Sequence, residues 1–226
     1  MTRIVARLCL DTLLVAGLLF LGAGTVAWSR AWALLSVMLC IRIVSAVIVH
    51  GVHPALLHER AGAPLHREQS SVDRMLVLAI LATGFLGLPS IAALDVSRWH
   101  AFLPPSAFVS GTGLVLFALG WIVKGAALYA NAFATSMVRV QRERAQTVAE
   151  TGLYAYVRHP FYAADPLIFV GLGLWLQSML AVALAIVPVM LMLVRLRTEE
   201  RLLARELTGY AEYMVRVPYR LLPGIW

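Results

Sequence analysis

Charge is scarce in this sequence, and lysine is nearly missing. Only 14% of the 226 residues are charged, against about 25% in an ordinary soluble domain. Lys124 is the single lysine beside eighteen arginines. Cysteine is limited to Cys9 and Cys40. Both sit in apolar runs, which excludes a disulfide framework or a cysteine metal site and leaves them as packing residues. No metal site is expected. Internal repeats and low-complexity linkers are also lacking. What fills the chain is apolar: 61% of it is hydrophobic. A soluble fold has nowhere to hide that much apolar surface. Lipid accepts it, provided each spanning segment closes its backbone hydrogen bonds as a helix. The net charge of +7 then reads first as a topology signal, and nucleic acid is excluded as a partner.

A spanning helix needs about 20 apolar residues. Leu8 to Trp28, Trp32 to Val49, Met75 to Leu94 and Phe108 to Ala130 each qualify. They carry Asp11, Arg42 and Lys124 as isolated charges. The stretch Asn131 to Arg158 is too polar to cross. Leu167 to Val194 is too long for one ordinary span, and Gln177-Ser178 divides it into a tight helical hairpin. Pro166 and Pro188 are expected to start or kink its arms. Thr198 to Val215 reads as a helix outside the lipid, capped by Thr198, with Glu199-Glu200 in its first turn. The expected fold is all-α: a polytopic bundle of about five to six membrane segments, including a C-terminal hairpin, followed by a cytosolic C-terminal helix.

The arginines set the orientation. Arg3 and Arg7 precede the first span, Arg60, Arg67 and Arg74 follow the second, and Arg139, Arg142, Arg144 and Arg158 follow the fourth. Arg195, Arg197, Arg201 and Arg205 follow the hairpin, while the alternate connections carry only Arg30 and Arg98. By the positive-inside rule both termini and the polar middle face the cytosol. The first apolar run is too long for a signal peptide and lacks a clear small-residue cleavage site.

Three groups invite a functional reading. Lys124 costs on the order of 2.5–3.5 kcal/mol inside a span. It either snorkels to the headgroups, about two turns away, or faces the bundle interior and pairs with an anion. Arg158-His159-Pro160-Phe161-Tyr162 places a polar, proline-broken peptide at the membrane boundary. It is either an interfacial anchor belt or the wall of a cavity, where irregular backbone is tolerated. Glu199-Glu200 either complement a helix dipole or, carried back by the hairpin, face Arg158-His159 across a small site.

An ordered set of residues resembles the isoprenylcysteine carboxyl methyltransferase family, and more closely its bacterial branch of integral-membrane methyltransferases. The set comprises Gly152-Leu153-Tyr154, Val157-Arg158-His159-Pro160, Tyr162, Arg195, Glu199-Glu200, Leu203, Tyr210, Tyr213, Arg216-Val217 and Leu222-Pro223-Gly224. Asn131-Ala132-Phe133 and Val138-Arg139-Val140-Gln141 fit upstream. The resemblance covers about residues 120–226 and divides the chain into N-terminal transmembrane helices, 1–105, and a catalytic region, 106–226. It implies an enzyme of the bacterial inner membrane that uses S-adenosylmethionine. Tyr154, Val157, Arg158, His159 and Tyr162 would line the cofactor pocket on one side, Glu199 and Glu200 on the other, with Gln146 among the cofactor residues. Lys124 and Arg158 would position the acceptor.

The implied reaction is carboxylate O-methylation of a lipophilic or prenylated substrate entering from the bilayer among membrane lipids. A carboxylate is already ionised at neutral pH, so positioning and exclusion of water suffice. A phospholipid amine or a thiol is the alternative acceptor. Gln146 stands where relatives carry histidine, and Ala164 where they carry glycine, which brings an extra methyl group near backbone that the resemblance places by the cofactor. Membrane sterol reductases share the Arg-His-Pro-x-Tyr motif and a closing Arg-Val-Pro-Tyr-Arg, here Arg216 to Arg220. An NADPH oxidoreductase is therefore the competing reading, and a non-catalytic relative a third. The sequence leaves oligomeric state open.

Overall fold

The structure is a computed structural model that describes residues 2–62 and 69–226. Among the described residues every regular element is a helix. They are α1 (Thr2–Ala23), α2 (Ser29–Val52), α3 (Pro54–Arg60), α4 (Ser71–Ile80), α5 (Leu88–Leu94), α6 (Ala107–Ala130), α7 (Pro160–Trp175), α8 (Met179–Leu184), α9 (Ile186–Glu206) and α10 (Tyr210–Arg216). A π-helical turn, Leu81–Gly87, joins α4 to α5, and a second, Asp95–Trp99, extends α5. Five helical segments are long and apolar enough to cross a membrane: Thr2–Ala23, Ser29–Val52, Ser71–Trp99, Ala107–Ala130 and Met179–Glu206. The chain is thus a multi-pass membrane protein with the expected all-helical architecture. Exposed Leu10, Leu13, Leu21, Val44, Val115, Ile122 and Val194 form part of its apolar rind, the surface lipid would cover.

The tightest packing lies between α6 and α7, and glycine makes it possible. A Cβ on Gly171 would stand 2.5 Å from the Phe117 backbone nitrogen, and one on Gly113 would stand 2.6 Å from Leu174 Cβ. A Cβ on Gly120 would stand 2.6 Å from Ile168 and 2.9 Å from the Ala164 carbonyl. Small residues let membrane helices approach backbone to backbone, where van der Waals contact supplies the association energy. Gly171→Val is therefore expected to cost at least ~1–3 kcal/mol and to lower the unfolding midpoint in detergent. Gly17→Val, whose Cβ meets nothing within 4 Å, should leave the midpoint within error of wild type. Equal midpoints for all three proteins would contradict this reading of the interface.

The hairpin turn falls at Gln177-Ser178. Gln177 takes positive φ (67°), and the Ser178 hydroxyl caps α8 by accepting from the Ala181 amide. Ser178 Oγ also donates to Asp95 Oδ2 at 2.6 Å. Two details differ from the sequence expectation. First, α7 begins at Pro160 rather than near Leu167, because proline suits the first helical position, whose N–H has no acceptor anyway. Pro166 lies inside α7. Pro188 lies near the start of α9, just after the break at Ala185. Second, no separate helix starts at Thr198. Helix α9 runs unbroken from Ile186 to Glu206, and the Thr198 hydroxyl donates back to the Val194 carbonyl at 3.1 Å. Glu199 and Glu200 therefore sit in the last turns of a long helix, where its dipole does not favour anions. The stop comes at Leu207, and Gly209 (φ 85°) turns the chain into α10.

The basic clusters gather at one end of the bundle. Arg7 donates to the Gly62 carbonyl, Arg60 to that of Ala134, and Arg195 to that of Ser136. Arg158 reaches Glu200. At the opposite end Arg30 donates to the Trp175 carbonyl and stacks over the Trp175 ring. The one-sided distribution of arginine is thus a property of the fold. Arg67 lies outside the described residues.

Candidate functional site

A cavity of ≈ 500 Å³ opens at the arginine-rich end. One part is apolar, lined by Leu14 and Val15 of α1, Met38 of α2, Val77 and Ile80 of α4, and Leu81, Phe85 and Leu86 of the first π turn. A π turn makes a local bulge, and such bulges occur frequently at functional sites. Leu14 and Leu86 are also 49% and 37% exposed on the outer surface, so this part reaches the lipid-facing side. The other part is polar, lined by Lys124, Asn131, Gln146, Tyr154, Arg158, His159, Tyr162, Asp165, Arg195, Glu199 and Tyr210. A single space therefore joins an apolar entrance to a charged floor.

Helix α9 supplies one polar wall. Arg195 and Glu199 are four residues apart and so share a face. Arg195 Nε donates to Asp73 Oδ1 at 2.8 Å, Nη2 to the Ser136 carbonyl at 2.7 Å, and Nη1 to the Tyr162 hydroxyl at 2.7 Å. With that lone pair taken, the Tyr162 hydroxyl donates its own proton to Glu199 Oε2 at 2.6 Å. The order Asp73, Arg195, Tyr162, Glu199 fixes the phenol rotor and aims one carboxylate at the cavity. Asp73 itself is held by the Gln69 side chain at 2.6 Å.

Glu200 faces elsewhere. Arg158 Nε and Nη2 both approach Glu200 Oε1 at 2.7 Å, and Arg220 Nε donates to Oε2 at 2.8 Å. Arg158 Nη1 donates to the Val217 carbonyl at 2.7 Å. The backbone amides of Arg158 and His159 donate to the carbonyls of Tyr219 and Arg220. The C-terminal tail is thus bonded across the Arg158-His159 peptide, which supplies acceptors that a loop before Pro160 would otherwise lack. His159 Nε2 stands 3.5 Å from the Tyr210 hydroxyl and 3.6 Å from Glu200.

Three tyrosines close this wall. The Tyr213 hydroxyl donates to the Tyr154 carbonyl at 2.7 Å. Burial pushes the Tyr154 phenol up to about 12, and burial also raises Tyr210 and Tyr213. All three stay protonated at neutral pH, so they serve as hydrogen-bonding walls and not as bases.

Lys124 does not snorkel. Its Nζ lies 2.8 Å from Asp165 Oδ1 and 3.7 Å from the centroid of the Phe161 ring. Lys124 and Asp165 are 6% and 5% exposed. A buried cation requires such a partner, and Asp165 provides it. Arg42 and Asp11 also pair, at 2.5 Å, with Arg7 on the second Asp11 oxygen at 2.8 Å.

The structure brings Lys124, Gln146, Tyr154, Arg158, His159, Tyr162 and Glu199 to one cavity. It does not place Val157 or Glu200 on the cavity wall: Val157 is buried in packing, and Glu200 is enclosed by its ion pairs. Gln146 lines the wall and accepts from the Gln141 amide at 2.7 Å, so it braces the polar loop. Ala164 lies outside the lining. It is fully buried, and its carbonyl stands against Gly120 in the helix interface. Phe161 lines the cavity as part of the expected Arg158-to-Tyr162 wall, whereas Arg60 and Asp73 were not among the expected site residues. Arg60 and Asp73 come from the N-terminal half, and their approach depends on a fold that local sequence pattern does not reveal. Their positions beside the spans, an arginine after the second and an aspartate before the third, were the only available signals.

The structure is thus that of a polytopic helical membrane protein with an amphipathic cavity at one end. Residues 108–208 match the phospholipid methyltransferase family. Over this stretch, a little under half of its length, the chain is similar to the phospholipid methyltransferases. The match spans α6 to α9 and contains Lys124, Gln146, Arg158, Tyr162 and Glu199. It supports a membrane methyltransferase. The chain is also 29% identical over 169 residues to the cobalt-zinc-cadmium resistance protein CzcN of Cupriavidus metallidurans, covering 74% of this chain and 69% of that protein.

Proposed function

We propose that this protein transfers a methyl group from S-adenosylmethionine to a lipophilic acceptor, with a carboxylate as the methylated group. The observation that carries the reading is the single cavity with an apolar, lipid-facing entrance and a charged floor. The donor set suits the cofactor. Glu199 presents a carboxylate whose described partner is a neutral phenol, so it keeps charge to offer a cationic ligand. Tyr154, Tyr162 and Tyr210 supply flat, protonated walls, and His159 and Gln146 add hydrogen-bonding edges. Bound there, the cofactor would supply an electrophilic methyl group. The protein's part is to align the partners and keep water out, which alone lowers a bimolecular barrier by several kcal/mol.

Arg158 supports this role indirectly. Its guanidinium is spent on Glu200 and the Val217 carbonyl, so it positions the tail and the His159 edge. The expected orientation puts both termini and the charged floor in the cytosol, in a bacterial inner membrane, with the acceptor arriving from the bilayer.

The test uses S-adenosylmethionine labelled in its methyl group and the purified protein in nonionic detergent. Three acceptors are offered: a prenylated cysteine carboxylate, phosphatidylethanolamine and an alkyl thiol. A methyl ester releases methanol in base, whereas methylated amines and thioethers do not. Base-labile label on the carboxylate is the expected result. Base-stable label alone would replace the carboxylate with an amine or thiol. No transfer to any lipophilic acceptor would count against the reading.

A further inference from the structure

Nearly every cation lining the cavity already has a carboxylate against it. Arg7 and Arg42 share Asp11. Lys124 has Asp165, Arg158 has Glu200 and Arg195 has Asp73. Arg139 has Glu143 and, more distantly, Glu59. Among the described residues Arg60 is the exception. Its Nη1 donates to the Ala134 carbonyl at 2.6 Å, a neutral partner that occupies one of five guanidinium N–H groups. Its guanidinium carbon lies 4.7 Å from the centroid of the Phe161 ring, the same ring that carries Lys124. Arg60 also lines a second chamber of ≈ 210 Å³ that shares Lys124, Trp121 and Phe161 with the main cavity.

Glu199 is the complementary case. Among the cavity carboxylates it has a phenol and no cation within ion-pair distance. The described lining therefore carries one uncompensated anion and one uncompensated cation. A guanidinium stays charged in proteins, and its fork matches carboxylate or phosphate oxygens in paired, charge-assisted hydrogen bonds. The uncompensated carboxylate suits a cationic ligand. The uncompensated guanidinium calls for an anionic one, beside the apolar entrance.

Resting on the reading that cofactor and acceptor share this cavity, we propose that Arg60 anchors the acceptor through an anionic headgroup, a carboxylate or a phosphate ester, next to its hydrocarbon chain. Lys124, neutralised by Asp165, is not the anchor. Selectivity for the acceptor is then set from α3, outside the stretch that matches the methyltransferase family.

The experiment measures binding of three twelve-carbon probes to the full chain in nonionic detergent at pH 8: dodecanoate, dodecyl phosphate and dodecanol. S-adenosylmethionine binding is measured in parallel. Arg60→Gln is expected to weaken the preferred anionic probe on the order of tenfold or more, the scale of a lost charged hydrogen bond. It should leave dodecanol and S-adenosylmethionine binding unchanged. Arg60→Lys should recover part of the loss, which also guards against a misfolded variant. Preference for dodecanoate identifies a carboxylate headgroup, and preference for dodecyl phosphate a phospholipid-like one. Unchanged binding of both anions in Arg60→Gln, or an equal loss for dodecanol, would overturn the proposal. Absence of S-adenosylmethionine binding with the Arg60 dependence intact would refute the cofactor reading and leave the anion site standing.

Discussion

Asp165→Asn is expected to destabilise the protein by ~3–5 kcal/mol, the usual cost of leaving one member of a buried ion pair without its partner. The substitution keeps shape and removes only charge. Lys124 is buried, 2.8 Å from Asp165 and against the Phe161 face, so water cannot take over from the carboxylate. Lys124→Met combined with Asp165→Leu should recover most of the loss, because replacing a whole buried pair by apolar groups is often close to neutral. Unfolding midpoints of the single and double variants give the coupling directly. A single variant as stable as wild type would mean that Lys124 finds another partner or sheds its proton without cost. The double variant separates fold from chemistry. It should bind S-adenosylmethionine as wild type does, while methyl transfer falls, because the pair lines the cavity beside the proposed acceptor site. Equal loss of binding and transfer would remove Lys124 and Asp165 from the acceptor side.

The second large effect is expected at Glu199. Glu199→Gln preserves size and the ability to accept from Tyr162, but removes the cavity's one uncompensated carboxylate among the described residues. Affinity for the cationic cofactor should fall about tenfold to a hundredfold, the scale of one hydrogen bond to a charged group. Tyr162→Phe should cost less. It keeps the carboxylate and only frees its orientation by cutting the link from Arg195. The contrast with Glu200 is informative. Glu200→Gln breaks ion pairs to Arg158 and Arg220, so its main signature should be lost stability, with cofactor affinity lowered only as the tail loosens. Cofactor affinity unchanged in Glu199→Gln would remove that residue from the site.

Much of this arrangement was legible in the residues. The spans follow from run length, the hairpin turn from Gln177-Ser178, and the common end of the basic clusters from arginine spacing. The Arg158-to-Tyr162 edge and the α9 carboxylates meet because a hairpin must return its ends to one side. The misreadings have physical causes. Thr198-Glu199-Glu200 has the composition of a helix start, yet packing against Tyr162 and Asp73 carries α9 straight through it. Two adjacent glutamates look equivalent in sequence, but on a helix they point about 100° apart. Glu199 accordingly meets the cavity, while Glu200 meets Arg158 and the tail. Lys124 showed that a partner was needed but not which one. Arg60 was marked only by its place after the second span, since its significance lies in having no carboxylate within ion-pair distance among the described residues.

The most direct measurement is a calorimetric titration of the purified wild-type chain in nonionic detergent with S-adenosylmethionine, and separately with NADPH. The expected result is saturable binding of S-adenosylmethionine at one site per chain, with no heat from NADPH beyond dilution. Binding of NADPH without S-adenosylmethionine, or of neither, would contradict the assignment of the cavity to methyl transfer.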